Sequence, residues 1–427
     1  MKKTFLLSLH ILCAVFAAKA QITLDECRRL AREHYPEIRQ YALIERSTDY
    51  TLSNARRAWL PQMTVTGQAT WQSDVPGFPR QMTGFFAQQG LDMPGLNKDQ
   101  YKVQLELSQT LWDGGKSRAD RAAAEAEAAE SQRSVDVDLH ALDGRIDDLY
   151  FGILLLDARM AQADLTLGLL RSNLDKVRAL QRNGVAMPSD ADAIEAEMLT
   201  VGQQRSQLEA SRDSYRRMLE LFIGHSLSGK RLVLPQVAEP ARSEPMRPEQ
   251  QLFDARIERL TAQERLVKTT TRPRFGLFAQ GYYGYPGLDY FGSMMNADWS
   301  WNALIGVRMT WNIGAYYTKR NTLGKLRTAR QQIEVQRDVF LFNNRLEVAD
   351  QTGEIARLRR ALADDDRIVA LRRSVREAAE SKLRNGVIDT NDLLQKITDE
   401  DAAAAARSAR EIELVKTIYE LKHTINQ

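Results

Sequence analysis

The sequence states one plan twice, and this duplication limits the possible folds more than any other feature. Residues 182–185 read Arg-Asn-Gly-Val and are followed by Asp190. About two hundred residues later, residues 384–387 read the same and are followed by Asp392. Long helical sequence that is poor in proline surrounds each copy. A repeat of this length indicates a duplicated architectural unit rather than a catalytic domain with an appendage.

Each half follows the order helix, strand, loop, strand, very long helix, turn and helix. We therefore predict a first structural repeat at residues 21–225, an inter-repeat linker at 226–248 and a second structural repeat at 249–427. The predicted strands and turns are, in chain order, strands at about 62–72 and 101–112, a turn near 183–190, strands at about 274–284 and 302–312, and a turn near 385–392.

Residues 1–20 have the composition of a secretory signal peptide, which predicts export. Two lysines precede an apolar run at 5–16, and small residues stand just before Gln21. Cys13 lies in the apolar run and follows a leucine, which argues against acylation there, although the sequence leaves open whether any lipid anchor exists. The exported chain would keep only Cys27, which cannot form an internal disulfide.

Four runs of alternating apolar and polar residues predict strands that span a membrane. After the signal peptide, no apolar stretch approaches the roughly 18–20 residues that a membrane-crossing helix needs. In the first run, Met63, Val65 and Trp71 fall on one face, and polar residues fall on the other. Each run is about ten residues long with aromatic residues near its ends, as in transmembrane barrel strands.

Four strands are too few for a closed β-barrel, because the smallest membrane barrels have about eight. Open edges in lipid would leave backbone groups without hydrogen bonds. Three copies of the chain would together supply about twelve strands, so we predict a shared trimeric barrel. The alternative is a soluble sandwich, but no other strand-rich region supplies its second sheet.

The helical segments are long enough to dominate the structure. No proline occurs between Lys116 and Gln181, and none occurs from Gly287 to the C-terminus. At 1.5 Å per residue, a helix of about 65 residues extends for about 100 Å, more than a globular core can surround. Apolar residues recur at three- and four-residue spacing, which predicts packing against neighbouring helices. An exported coiled-coil scaffold or adhesin without a pore therefore remains the alternative.

Composition and motifs give no support for an enzyme, a cofactor or a metal site. The net charge is +3, and the charges are interspersed along the helices, so no basic stripe predicts nucleic-acid binding. The five histidines lack the spacing of metal ligands. Residues 115–117 read Gly-Lys-Ser, but the earlier glycine of a phosphate-binding loop is missing. No nucleophile or acid–base constellation is visible.

The two turns are the candidate functional site. In each copy a glycine follows an arginine at the end of a helix, which is typical of helix C-termini. Asp190 and Asp392 would stand at the start of the returning helix, where a carboxylate suits the helix dipole. A second interpretation is that carboxylates from several copies form a ring that controls cation passage. The two interpretations are compatible.

Several segments together resemble the TolC-like outer membrane efflux proteins. They are residues 24–38, the Ala-Trp-Leu-Pro at 58–61, the Leu-Trp-Asp-Gly-Gly at 111–115 and the two Asn-Gly-Val turns. The resemblance implies a homotrimer with a β-barrel in the lipid of the cell outer membrane and a long α-helical tunnel in the periplasm. It also implies a periplasmic adaptor protein and an inner-membrane pump as partners. The substrate, which could be drugs, metal ions, siderophores or a polypeptide, and the pump class stay open.

The resemblance also implies roles for residues of the turns. The family's periplasmic constriction matches Asp392, but its second carboxylate is replaced here by Gln395. Asp190 matches an aspartate of the family's gate, whose basic partner is replaced by Ile388. Other contacts, with Arg182 and Arg384 as candidates, would then hold the closed state. Adaptor contacts are implied for four residues of the turns, Gly184, Val185, Gly386 and Val387.

Overall fold

The computed structural model describes residues 21–91, 95–183, 186–236, 246–385 and 387–426. The predicted signal peptide, residues 1–20, lies outside these described residues. The described chain is mostly helical, contains one four-stranded sheet and repeats the same order of long elements in its two halves. The fold class predicted from the sequence is therefore confirmed.

The first half contains two long helices that are joined by the first turn. Its elements are β1 (Gln21–Ile22), α1 (Leu24–His34), a short 3-10 turn (Pro36–Ile38), α2 (Arg39–Arg57), β2 (Gln62–Trp71), α3 (Arg80–Gln88), β3 (Asp99–Trp112), α4 (Lys116–Arg182) and α5 (Pro188–Ile223).

The second half repeats this order after a short strand. Its elements are β4 (Arg231–Leu232), α6 (Pro248–Thr269), β5 (Arg274–Tyr285), α7 (Tyr290–Met295), β6 (Ser300–Thr310), α8 (Ala315–Arg384) and α9 (Thr390–Ile425). The short helices α3 and α7 stand in the loops between paired strands, where the sequence predicted no structure. No helix in the described ranges has the length and apolar character that crossing a membrane requires.

The chain divides into two compact units, each built from both halves. A sheet unit comprises residues 42–131 and 254–334. A helical unit comprises the described residues within the ranges 21–41, 132–253 and 335–426. The long helices α4 and α8 each contribute residues to both units.

The sheet of the first unit is antiparallel throughout and has the order β2-β3-β5-β6. The central pair, β3 and β5, joins one repeat to the other, and its register is interrupted near Thr110 and Trp112. Residues directly opposite each other in an antiparallel pair share a face. The register therefore places all the apolar runs on one face of the sheet and the polar runs on the other.

The strand-to-helix junction of the first half explains its Asp-Gly-Gly sequence. The Asp113 carboxylate accepts hydrogen bonds from the N–H of Gly115 at 2.8 Å and of Ser117 at 2.6 Å, which caps the start of α4. Gly114 has φ +71°, and an added Cβ would lie 2.8 Å from the Cβ of Arg272. At the second junction, Asn312 accepts from the N–H of Ala315 at 3.2 Å.

The helical unit has a buried core that fixes the short strand β1 and the helix α1 that follows it. The Tyr150 hydroxyl donates to the carbonyl oxygen of Ile22 at 3.0 Å and accepts from the N–H of Val233 at 3.0 Å. It therefore holds the paired strands β1 and β4 against α4. The Arg28 guanidinium donates to the buried Asp147 carboxylate on α4 at 2.7 Å, which fixes α1 to the same helix.

The long hairpins of the two halves contain the same set of charged contacts. In each, an arginine on the returning helix bonds an aspartate on the long helix and a glutamate one turn further along. The two sets are Arg205 with Asp164 and Glu209, and Arg407 with Asp366 and Glu411. The duplication seen in the sequence therefore extends to side-chain contacts.

Candidate pore-lining site

One face of the sheet is apolar and is exposed on the isolated chain. Val65 on β2 is 69% exposed, and Ile305 on β6 is 80% exposed. The register aligns Val65 with Leu105 and aligns Ala279 with Ile305, so the exposed side chains form a continuous surface across four strands. Soluble monomers rarely expose apolar patches of this extent, and such patches mark interaction or membrane surfaces.

Aromatic side chains stand at both ends of this apolar face. At the loop end, the ring of Trp299 stacks on Tyr101 with centroids 6.2 Å apart, and Tyr283 lies 5.0 Å from Trp301. At the helical end, Trp112 and Phe275 lie 5.9 Å apart. Two aromatic girdles that flank an apolar band are typical of strands that cross a membrane.

The sheet has two outer strands, β2 and β6. Within the described chain each of them pairs on one side only. Their outer backbone N–H and C=O groups therefore need partners from elsewhere, and in a bilayer each unpaired group would cost several kcal/mol. A single copy of the chain does not satisfy this requirement in lipid.

The opposite face of the sheet is polar and carries a charged cluster. Glu106 on β3 accepts from the Arg308 guanidinium on β6 at 3.0 Å and from the Gln280 amide on β5 at 2.7 Å. The Arg308 guanidinium also lies 4.5 Å from the centre of the Phe278 ring. These contacts connect three strands across a face that is suited to water.

At the first turn, Asp190 has a structural role. Its carboxylate accepts a hydrogen bond from the backbone N–H of Met187 at 2.8 Å, as in the reciprocal half of a capping box. The Met187 side chain has no oxygen with which to cap α5. The Asp190 carboxylate, in the first turn of α5, is thus bonded to the backbone that precedes this helix. The residue is partly buried.

At the second turn, the cap is a different residue. Asp389 precedes α9, and its carboxylate accepts from the N–H of Asp392 at 2.8 Å. Because Asp389 caps the helix, the Asp392 carboxylate is not required for this purpose and its residue is exposed. Gln395 and Val387 are also exposed. The remaining predicted tip residues, Gly184, Val185 and Gly386, lie outside the described residues.

The ends of the four long helices share one apolar core. Its buried members include Ala191, which directly follows Asp190, and Leu393, which directly follows Asp392. Ile388 is partly buried against the same cluster. The Ile388 side chain has no hydrogen-bond donor, so it cannot replace the basic partner of Asp190 that the resemblance implies at this position.

Sequence reasoning missed a charged network close to the second turn. Arg376 on α8 donates to Glu400 on α9 at 2.5 Å and to Glu380 at 2.5 Å, and Lys176 on α4 donates to Glu380 at 3.2 Å. The side chains of Arg376, Glu380 and Glu400 are at most 17% exposed. An alignment of the two repeats would have singled out Arg376, because the first copy has Leu174 at the equivalent position, but it would not have given the partners of Arg376.

Burial raises the pKa of the Glu380 carboxyl, but hydrogen bonds from Arg376 and Lys176 outweigh this effect and hold the pKa below its usual value. The Glu380 carboxyl is therefore part of a group of mutually paired charges. Among the described residues, no group of three or more His, Cys, Asp or Glu side chains is placed to hold a metal ion.

A family model matches the first half of the chain. Residues 28–225, which correspond to the first repeat, match the model of a family described as outer membrane efflux protein. No curated protein sequence matches the chain. The match to the family model therefore depends on the first half, and the second half is related to it through the internal duplication.

Solved structures match almost the whole chain. The outer membrane protein VceC of Vibrio cholerae has a TM-score of 0.69 at 16% identity, covering 94% of this chain and 95% of VceC. The outer-membrane channel OprN has a TM-score of 0.68 at 16% identity, covering 94% of this chain and 89% of OprN. The open-state MtrE channel of Neisseria gonorrhoeae has a TM-score of 0.65 at 15% identity, covering 94% and 88%. At these identities the likeness shows a shared fold.

Proposed function

We propose that this chain belongs to the TolC-like outer membrane efflux proteins and is the passive outer membrane channel of a tripartite export system. Substrates would pass through it from the periplasm to the exterior without a chemical step in the channel itself. The energy would come from an inner-membrane pump, and a periplasmic adaptor would connect the pump to the channel. The fold and the family model support this role.

The observation that carries the proposal is the exposed apolar face of a sheet whose two edges are unpaired. Apolar side chains between aromatic girdles suit the bilayer, whereas the free edges of β2 and β6 do not. Pairing β6 of one copy with β2 of the next satisfies both edges and keeps the polar face inside. We propose that three copies close in this way, which gives a barrel of about twelve strands.

We propose the second turn as the constriction of the channel. Asp392 is exposed and is not needed as a cap, so three copies would present three carboxylates, with Gln395 one helical turn further along. We assign Asp190 a supporting role in that constriction, because its carboxylate is held by the first turn. The exposed Val387, together with Gly184, Val185 and Gly386, is the proposed adaptor contact.

The channel is tested by its assembly and its conductance. Detergent-extracted protein should purify as a trimer and should form ion-conducting channels in planar bilayers. A water-soluble monomer without conductance would contradict the proposal and would favour the exported coiled-coil scaffold.

The constriction is tested by Asp392→Ala. Removing three carboxylates from a narrow ring should lower cation selectivity and should weaken block by polyvalent cations. The matched control is Glu354→Ala, which removes a partly exposed carboxylate, paired with Arg357, from α8 in the helical unit. Unchanged selectivity and block in Asp392→Ala would exclude Asp392 from the constriction.

A further inference from the structure

The polar face of the sheet contains a second feature at its loop end, which we call the loop-end pocket. It is a cavity of about 290 Å³. The residues that define it are Lys102, Gln104, Gln280, Tyr282 and Tyr290. Neither Glu106 nor Arg308 lines it. All its lining residues belong to the sheet unit, so it is separate from the constriction proposed at the helical turns.

Lys102 brings a positive charge to this pocket that no neighbouring carboxylate balances. Among the described residues it has no ion pair, and its ammonium lies 6.0 Å from the centre of the Tyr282 ring. Arg308, the other cation named on this face, is bonded to Glu106 at 3.0 Å. The loop-end pocket is therefore the part of the polar face that is suited to an anion.

The aromatic and amide groups of the pocket restrict the anion further. Tyr282 and Tyr290 line the pocket and supply aromatic surface that suits a flat, apolar ligand ring. The amide nitrogens of Gln280 and Gln104 donate to Glu106 at 2.7 and 3.4 Å, which leaves their carbonyl oxygens as hydrogen-bond acceptors. A ligand hydroxyl group would satisfy such an acceptor.

We propose that the loop-end pocket binds a small aromatic carboxylate that carries a hydroxyl group. The Lys102 ammonium pairs with the ligand carboxylate, the Tyr282 ring packs on the ligand ring, and the glutamine carbonyl oxygens accept from its hydroxyl group. That such a ligand reaches this face by passing along the channel depends on the function proposed above. The binding itself depends only on the sheet unit.

Binding is tested with salicylate as the probe, by saturation-transfer NMR on the purified, folded protein. Wild type should bind salicylate more tightly than benzamide, which lacks the charge, and than cyclohexanecarboxylate, which lacks the aromatic ring. Lys102→Gln should weaken salicylate binding about tenfold, as expected for the loss of a charge-assisted contact and its cation–π neighbour. Tyr282→Leu should weaken it as well, whereas Tyr282→Phe keeps the ring and should retain it.

The matched control is Lys98→Gln, which removes the same charge from an exposed loop residue outside the pocket. It should leave salicylate binding unchanged. Equal binding by wild type and Lys102→Gln, or an equal loss in Lys98→Gln, would overturn the proposed site.

A second measurement separates this proposal from the function of the channel. In planar bilayers, salicylate added from the loop side should block the wild-type current saturably, and Lys102→Gln should shift the half-blocking concentration upward about tenfold. Conductance without Lys102-dependent block would reject the site and keep the channel. Lys102-dependent binding by NMR without any conductance would reject the channel and keep the site.

Discussion

The two helical hairpins are copies of one unit, yet they are held together differently near their turns. Far from the turns, both have the same contact of arginine, aspartate and glutamate. Near the first turn, Leu174 is buried in an apolar core, and the position equivalent to Glu400 is Met198. Near the second turn, Arg376 and Glu400 form a half-buried ion pair instead.

The N-terminal caps of the two returning helices, α5 and α9, also differ between the copies. The first returning helix begins after Met187, so Asp190 has to turn back to the backbone. The second begins after Asp389, which caps the helix and leaves Asp392 exposed. Both copies thus keep the same hairpin, but they differ near the turn, where the second copy has a buried charged network in place of apolar contacts of the first.

The largest effect is expected from replacing Arg376 by the residue of the first copy. Arg376→Leu removes the closer of the two arginines that bond Glu400 and leaves only the exposed Arg373, at 3.2 Å, which should destabilise the folded protein by about 2 kcal/mol. Thermal unfolding followed by circular dichroism measures this loss. The double variant Arg376→Leu/Glu400→Met transplants the apolar pair of the first hairpin and should recover most of it. A neutral Arg376→Leu would show that the network contributes nothing.

Acidification should also affect the second hairpin more than the first. Because the folded-state pKa of Glu380 lies below its usual value of 4.5, its contribution to stability is present above that value and is lost as the pH falls through the folded-state pKa. Glu380→Gln should therefore reduce the fall in unfolding temperature between about pH 5 and pH 3 by a few degrees.

The control for this pH dependence is Glu195→Gln, which removes a carboxylate from an exposed pair of the first hairpin. Its unfolding curve should follow that of the wild type across the same range. Parallel curves for all three proteins would contradict a role for Glu380.

The caps should give a smaller and more local effect. Asp190→Ala and Asp389→Ala should each cost about 1 kcal/mol, and Asp392→Ala should cost less than about 0.5 kcal/mol. Met187→Asp supplies the cap of the second copy and should rescue Asp190→Ala. Hydrogen exchange of the first turns of α5 and α9 is the direct measurement. If Asp392→Ala is as costly as Asp389→Ala, the assignment of the caps is wrong.

The smallest effect is expected where the two copies are alike. Arg205→Ala and Arg407→Ala remove equivalent, solvent-screened ion pairs, so each should lower the unfolding temperature only slightly and the two shifts should agree. Unfolding temperatures of the two variants measured side by side test this. A clear difference between them would show that the hairpins already diverge far from their turns.

The sequence predicted those parts of the structure that depend on local patterns. Alternation predicted the four strands, and the absence of proline predicted α4 and α8. The short helices α3 and α7 were missed because each is shorter than the span over which helical periodicity becomes visible. Their positions depend on contacts with neighbouring loops, such as Phe78 with Phe291 at 6.0 Å.

The candidate site was predicted less completely. Residue types identified Asp190 and Asp392 as first-turn residues, but only the structure distinguishes their contacts, because the cap depends on Met187 and Asp389 three positions earlier. The network of Arg376 brings together residues from three helices, and no spacing along a single helix reveals it.

The central pairing of β3 with β5 has an evolutionary consequence. By duplication β5 corresponds to β2 and β6 corresponds to β3, so the contact between repeats inside one chain is of the same kind as a contact of β6 with β2 between chains. An ancestor of half the length could then have assembled as a ring of identical single repeats. Fusion of two copies of its gene would have joined neighbouring repeats in pairs within one chain. The contacts within a chain and those between chains would then have been free to diverge from each other.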